Sequence, residues 1–362
     1  MAITRIGNPA LADVREPNFR NIIINGGMDL AQRGTSASNV STGYDTVDRF
    51  KILRGAGTLN VSQETDAPSG SGFAKSFKVI EAGSGASPGA NDTNRIQQIF
   101  EGQNLQYLKK GTSSAESLTL SFWIKATVTG TYIAELYDLD NSRQISKSYT
   151  ISSASTWEYK TITFAGDTTG AFGNDNGDSM SVSLFLTAGS NFTSGTLSTS
   201  WSSVTTANRA VGQVNALASA NDFVQITGVQ LEAGSVASDY EFLPHDVNLQ
   251  RCQRYYFRRQ GDASDQRAVS NGFATTTNKY RGVVVFPITM RGNPTLTESA
   301  LETLRPGQVN DAVSAGSIID ASVNAAMVEL IADSGTPYTA GNGLTVRITN
   351  STSAFIAFEA EL

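Results

Sequence analysis

The chain has 362 residues, 17% of them charged, with 27 Lys and Arg against 33 Asp and Glu, a net charge of −6 and a pI near 5.0. An acidic chain without a basic tract lacks the positive footprint of a nucleic-acid binder. One cysteine, Cys252, and one histidine, His245, exclude an internal disulfide, a Cys-rich zinc site and all but one His base. No apolar run approaches about 18 residues, so no membrane insertion is expected. Residues 1–20 lack the apolar core of a secretory signal.

The length suggests about two domains. Hydrophobic residues at 40%, 33 glycines and abundant Ser, Thr and Asn point to an all-β chain.

In chain order, Met1–Arg20 shows no period and holds Pro9 and Pro17, so it reads as an extended arm or a disordered tail. Asn21–Gly27 is a β-branched run stopped by glycines and predicts a strand and turn. Further strands are expected at 46–53, 58–63, 73–80, 95–100, 117–128, 131–136, 145–151, 157–164, 179–187 and 223–231. The clearest is 117–128, where Leu118, Leu120, Phe122, Ile124 and Ala126 fall on one face at period two. So many strands with almost no helical period predict a jelly-roll β-sandwich over 21–244. Residues 188–220 interrupt it with a Ser/Thr/Gly-rich loop around Trp201.

After Pro244, apolar positions recur at three and four, with Asp246 as an N-cap, which predicts a short helix within 245–259. Residues 260–362 return to strands, at 267–276, 280–289, 321–331, 344–349 and 353–362, and predict a second, smaller C-terminal β-sandwich. No repeat of 20–50 residues is present, which disfavours propellers and β-helices.

Few residues offer chemistry. Asp138-Leu139-Asp140-Asn141 and Asn174–Ser179, with Asp175 and Asp178, are rich in hard oxygen donors. They suit either calcium or plain hairpin turns. Glu101, Glu116, Glu135, Asp138, Asp140 and Glu158 lie in or beside expected strands, but sequence does not place two in one cleft for glycoside hydrolysis. Aromatic residues are the better candidates, because sugar CH faces stack on rings and sugar hydroxyls bond polar side chains. Trp201 and Phe192 lie in the long loop, Tyr132, Tyr137 and Tyr159 in strands, and Trp123 on the polar parity of the clearest strand. Each also has a packing role open to it.

Several segments together resemble one family. They are Asn21–Gly34 with Tyr44–Phe50, Ser121–Ala126, Ile226–Ser235 with Asp239–Phe242, and Leu249–Tyr256. This combination is similar to the carbohydrate-binding-module-like jelly rolls of tailed-bacteriophage fibres and other virion surface proteins. The resemblance implies a non-enzymatic homotrimer on the particle, made in the host cytoplasm, that attaches to host cell-surface polysaccharide. Residues 1–20 would dock to other virion proteins. The helix would pack about a threefold axis through Val247, Leu249, Cys252 and Tyr256. Glu232 stands at the position where related modules bind structural calcium. The expected role is a short trimeric tail fibre. The alternatives are a capsid decoration or head-fibre protein and, third, a glycan-degrading enzyme. No cofactor is required by any of these except possible calcium.

Overall fold

The computed structural model describes residues 19–262, 267–305, 307, 309–333 and 335–362. Most of the expected arm, 1–18, therefore lies outside the described residues.

The first unit is a sandwich of strands β1 (Ser36–Ala37), β2 (Lys51–Leu53), β3 (Leu59–Glu64), β4 (Ser76–Glu81), β5 (Thr93–Glu101), β6 (Leu118–Ala126), β7 (Gly130–Asp138), β8 (Arg143–Ile151), β9 (Glu158–Phe164), β10 (Asp178–Ala188), β11 (Ser202–Ser203) and β12 (Phe223–Ala233). They form two six-stranded sheets, β1-β3-β4-β12-β6-β9 and β11-β8-β7-β10-β5-β2. The strand β6 behaves as its alternation requires: Leu120, Phe122, Ile124 and Ala126 are fully buried between the sheets. They meet Tyr132, Leu136, Met180 and Leu184 of the other sheet in one core. Phe122 meets the Tyr149 ring edge-on at 5.3 Å. Each such ring or branched side chain contributes roughly 1.5–3 kcal/mol by leaving water.

Asn21–Gly27 is not the expected strand. The amide of Ile23 donates to Asn21 Oδ1 and that of Ile24 to Gln98 Oε1, so side chains take the bonds a ladder would use. Asn25, at φ 62°, then turns the chain. Its side chain bonds both backbone groups of Leu30, the turn chemistry that Asn is suited to.

The 189–216 segment, which carries the four-residue helix α1 (Ser190–Thr193), covers the outer face of the β7 and β10 strands. Ile133, Phe185 and Ala210 are buried there, with Phe192 and Leu197 packed on them.

The second helix, α2 (His245–Gln253), has its cap at Pro244, two residues before the expected one, which leaves Asp246 in its first turn. Strand β13 (Tyr256–Gln260) follows. It pairs with β21 (Phe355–Glu359), which also pairs β16 (Thr295–Ser299). The remaining strands are β14 (Arg267–Ala274), β15 (Lys279–Val285), β17 (Leu301–Arg305), β18 (Val309–Ala321), β19 (Ala325–Ala332) and β20 (Gly343–Ile348). They close into a barrel, not the expected second sandwich, because β20 pairs β14 on one side and β17 on the other. Closure removes the free edges that a small sandwich would leave.

A buried ionic joint ties the two units. Arg49, fully buried, pairs with Glu361, donates to Ile99 O and lies 3.5 Å from the Tyr255 ring centroid. Glu101 accepts both Arg254 Nε and Nη2, at 2.7 and 2.6 Å, and the Tyr255 hydroxyl. Arg291 reaches from the second unit to the Asn176, Ala360 and Glu361 carbonyls.

This joint also takes up three of the four side chains expected at a threefold axis. Cys252 is buried and Leu249 packs with it against Ile24, Leu30 and Tyr255. Tyr256 is buried beneath the Arg33 guanidinium, 3.7 Å from the ring centroid. These three side chains pack inside one chain, Leu249 and Cys252 because α2 buries one stripe against the sandwich and Tyr256 at the start of β13. Val247 alone of the four lines an open groove.

Candidate functional site

The inward parity of β6 forces Ser121, Trp123 and Lys125 onto the outer face of its sheet. Register places Trp123 opposite Tyr159 of β9 and Thr227 of β12. The Trp123 and Tyr159 ring centroids are 5.3 Å apart, and Tyr159 is 46% exposed.

Beside Trp123, β12 is interrupted by a bulge between Thr227 and Gln230. Gly228 sits there at φ 61°, and a Cβ on it would lie 2.5 Å from the Phe73 ring. The bulge and the missing side chain together let Phe73 lie against the strand. Phe73 in turn meets Tyr240 at 4.8 Å and Phe242 at 5.2 Å, and Tyr240 meets Phe242 at 4.8 Å. Phe242 is 57% exposed.

Between the Trp123–Tyr159 pair and this three-ring cluster runs a groove of about 630 Å3. Its polar lining comes from Ser71, Ser121, Ser238 and Asp239, the last its one carboxylate. The groove is thus two aromatic walls with hydroxyls between them, open to solvent.

Hydrogen bonds hold the 238–242 wall in place. Glu232 Oε1 accepts the Ser238 amide and Gln230 Nε2, and Oε2 accepts the Ser238 hydroxyl at 2.6 Å. Gln230 Oε1 accepts the Glu241 amide, and the Glu241 carboxylate accepts the amides of Phe19 and Asn21. Glu232 is therefore engaged in shaping a wall, and not with other carboxylates. Burial, then the nearby Asp29 charge, push the Tyr240 phenol up and keep it neutral.

At one end of the same face, Lys125 pairs with Asp66, and Trp157 Nε1 donates to that carboxylate at 3.3 Å. Burial opposes the Asp66 charge, but the hydrogen bonds from Lys125 and Trp157 outweigh it and hold this carboxyl below its usual range.

The other aromatic candidates lie elsewhere. Tyr132 is fully buried in the sandwich core and donates to Val128 O at 2.7 Å, so it is closed to a ligand, which corrects that expectation. Tyr137 and Phe192 flank Arg209, whose guanidinium lies 4.8 and 5.8 Å from their ring centroids and binds both Glu135 oxygens. They serve the covered face. Trp201 donates to Ala165 O at 2.7 Å and packs on the main core, pinning its loop.

The acid-rich turns are likewise occupied. Asp175 Oδ1 accepts the Gly177 amide, an Asx turn, and Asn176 holds Arg291. Asp178 opens β10, on a strand paired with β5 and β7, away from Glu232 on β12. Among the described residues no group of three or more His, Cys, Asp or Glu is placed to hold a metal ion.

Sequence reasoning placed Trp123 and Tyr159 among its candidates but did not single out Phe73, Tyr240 or Phe242. The available signal was Gly228 inside an alternating strand, where the apolar positions shift from Val224 and Ile226 to Val229 and Leu231, which marks a bulge and a close approach.

No family model matches the sequence, and no curated protein matches it. Solved structures do. The enzymatically active domain of bacteriophage CBA120 tailspike protein 4 matches over 59% of this chain and 22% of its own, at 14% identity and a TM-score of 0.34. The carbohydrate-binding module TmCBM61, solved with β-1,4-galactotriose, matches over 59% of this chain and 99% of its own, at 10% identity and 0.32. The xylan-binding CBM22-1 domain of Paenibacillus barcinonensis Xyn10C matches over 56% and 94%, at 11% and 0.26. This chain thus spans about a fifth of the tailspike chain and nearly all of each module. At these TM-scores the likenesses carry no argument about what the chain does. Its strand order and register stand by themselves: an all-β chain, with a β-sandwich followed by a closed barrel.

Proposed function

We propose that this chain binds neutral faces of glycans in the groove between Trp123–Tyr159 and Phe73–Tyr240–Phe242. The observation that carries the reading is the convergence of five rings and three serines on one open groove. Pyranose rings present CH faces that stack on such walls, and their hydroxyls bond the serines and Asp239. Binding is favoured over cleavage because glycoside hydrolysis uses two facing carboxylates, and the groove lining holds one.

The wider setting is also proposed. In it the chain is a virion surface protein of a tailed bacteriophage, a short trimeric fibre whose first 20 residues dock to the particle. Several grooves per trimer would turn weak single sites into avid attachment to host polysaccharide. An array of bacterial surface glycans probed with the full chain tests the binding claim. Retention on a subset of glycans, lost with Tyr159→Ala, supports it. Retention on none, at concentrations that reveal weak lectins, refutes it.

A further inference from the structure

A second concavity lies at the joint, on the far stripe of α2. It is about 490 Å3 in volume, within the range of small-ligand pockets. Its walls come from three places: Ile22 and Ile24 before the sandwich, Phe100 and Tyr107 around the end of β5, and Ile288 from the loop after β15. Helix α2 supplies Val247 and Arg251, and its C-cap supplies Arg254, spaced so that they share one face.

The two arginines differ. Arg254 is consumed by its two bonds to Glu101. Arg251 donates to Asn21 O at 3.2 Å and lies 5.9 Å from the Phe19 ring centroid. Among the described residues no carboxylate lies within ion-pair distance of it. The nearby Glu241 carboxylate is engaged with two backbone amides. Burial pulls the Arg251 guanidinium down from its usual range, and Cys252 and Glu241 only partly offset this. A desolvated cation beside an apolar wall is stabilised by an anion that carries its own apolar body.

We infer that the groove beside α2 binds an amphiphilic monocarboxylate, its carboxylate on Arg251 and its alkyl or aryl body against Ile22, Ile24, Phe100, Val247 and Ile288. This site is separate from the aromatic groove, and the inference stands apart from the glycan reading.

Titration calorimetry of the full chain with decanoate tests it, with decylamine as the cationic counterpart. The expected result is one saturable decanoate site per chain and no decylamine site. Arg251→Gln should weaken decanoate at least tenfold. Val247→Asp, which places a carboxylate on an open helix face without touching the core, should do the same. Arg251→Lys should recover part of the loss. The inference is overturned if wild-type chain takes up no decanoate, if decylamine binds as well, or if Arg251→Gln and Val247→Asp both bind like wild type.

Discussion

Replacing Glu361 by Gln keeps the side chain's shape and removes its charge. Arg49 is then left fully buried, with the Tyr255 ring and Ile99 O as its remaining partners. Burial works against the Arg49 charge, and in the native chain Glu361, together with the Tyr255 and Tyr44 phenols, outweighs that cost. Removing one partner of a buried pair costs about 3–5 kcal/mol, because the other charge stays uncompensated. Arg49→Met leaves the reverse situation, but Glu361 retains Arg33 Nη2 at 3.2 Å. Its loss should therefore be smaller, roughly 1.5–3 kcal/mol, the range for a hydrogen bond to a charged group. The double variant should be more stable than Glu361→Gln alone, since no buried charge is stranded. Urea unfolding followed by tryptophan fluorescence measures all three, because Trp123, Trp157 and Trp201 all lie in the sandwich. The reasoning is refuted if Glu361→Gln unfolds at the wild-type midpoint, or if Arg49→Met is the more damaging of the two.

Other expectations follow from the same geometry. Gly228→Ala places a methyl 2.5 Å from the Phe73 ring at φ 61°, so it should cost about 1 kcal/mol or more in stability and displace that groove wall; a crystal structure of the variant with Phe73 unmoved would refute this. Asp48 is raised from its ordinary 3.8 to about 6, first by burial, against hydrogen bonds from Gln32. Its folded form holds the proton more tightly than the unfolded chain. Stability contributed by this group is therefore present below about pH 4 and lost as pH rises through about 6. Thermal melts of wild type and Asp48→Asn between pH 4 and 7 should converge as the pH falls, and parallel curves would contradict the assignment. Burial pushes the Cys252 thiol well up, so a thiol reagent at pH 8 should label it only on the unfolding timescale; rapid labelling of the native chain would show the helix packing to be wrong.

Legibility in the sequence followed physical locality. The strand β6 was readable because period two needs only its own residues, and its bounds differ from the expected run by a residue or two at each end. The Asn21–Gly27 segment was misread because its fate depends on Gln98 and Asn21 side chains that take over its amides, a tertiary effect that a β-branched run does not show. The barrel was missed for a similar reason: β18 reads Val-Asn-Asp-Ala-Val-Ser-Ala-Gly-Ser-Ile-Ile-Asp-Ala, with too little alternation to announce a strand. Trp123 was legible as the parity outlier of its strand, and Tyr159 as an aromatic residue in an expected strand. Phe73, Tyr240 and Phe242 were not, because they approach the groove from loops whose course is set by Gly228, Glu232 and Gln230.

The central claim is that the aromatic groove is where this chain holds a glycan. The most direct measurement is titration calorimetry of an array-selected oligosaccharide into wild type, Tyr159→Ala and Phe242→Ala, two side chains 46% and 57% exposed whose removal leaves the core intact. The account predicts a loss of about 0.5–1.5 kcal/mol, up to roughly tenfold in affinity, for each variant with unchanged melting temperature. Wild-type affinity in both variants would contradict it.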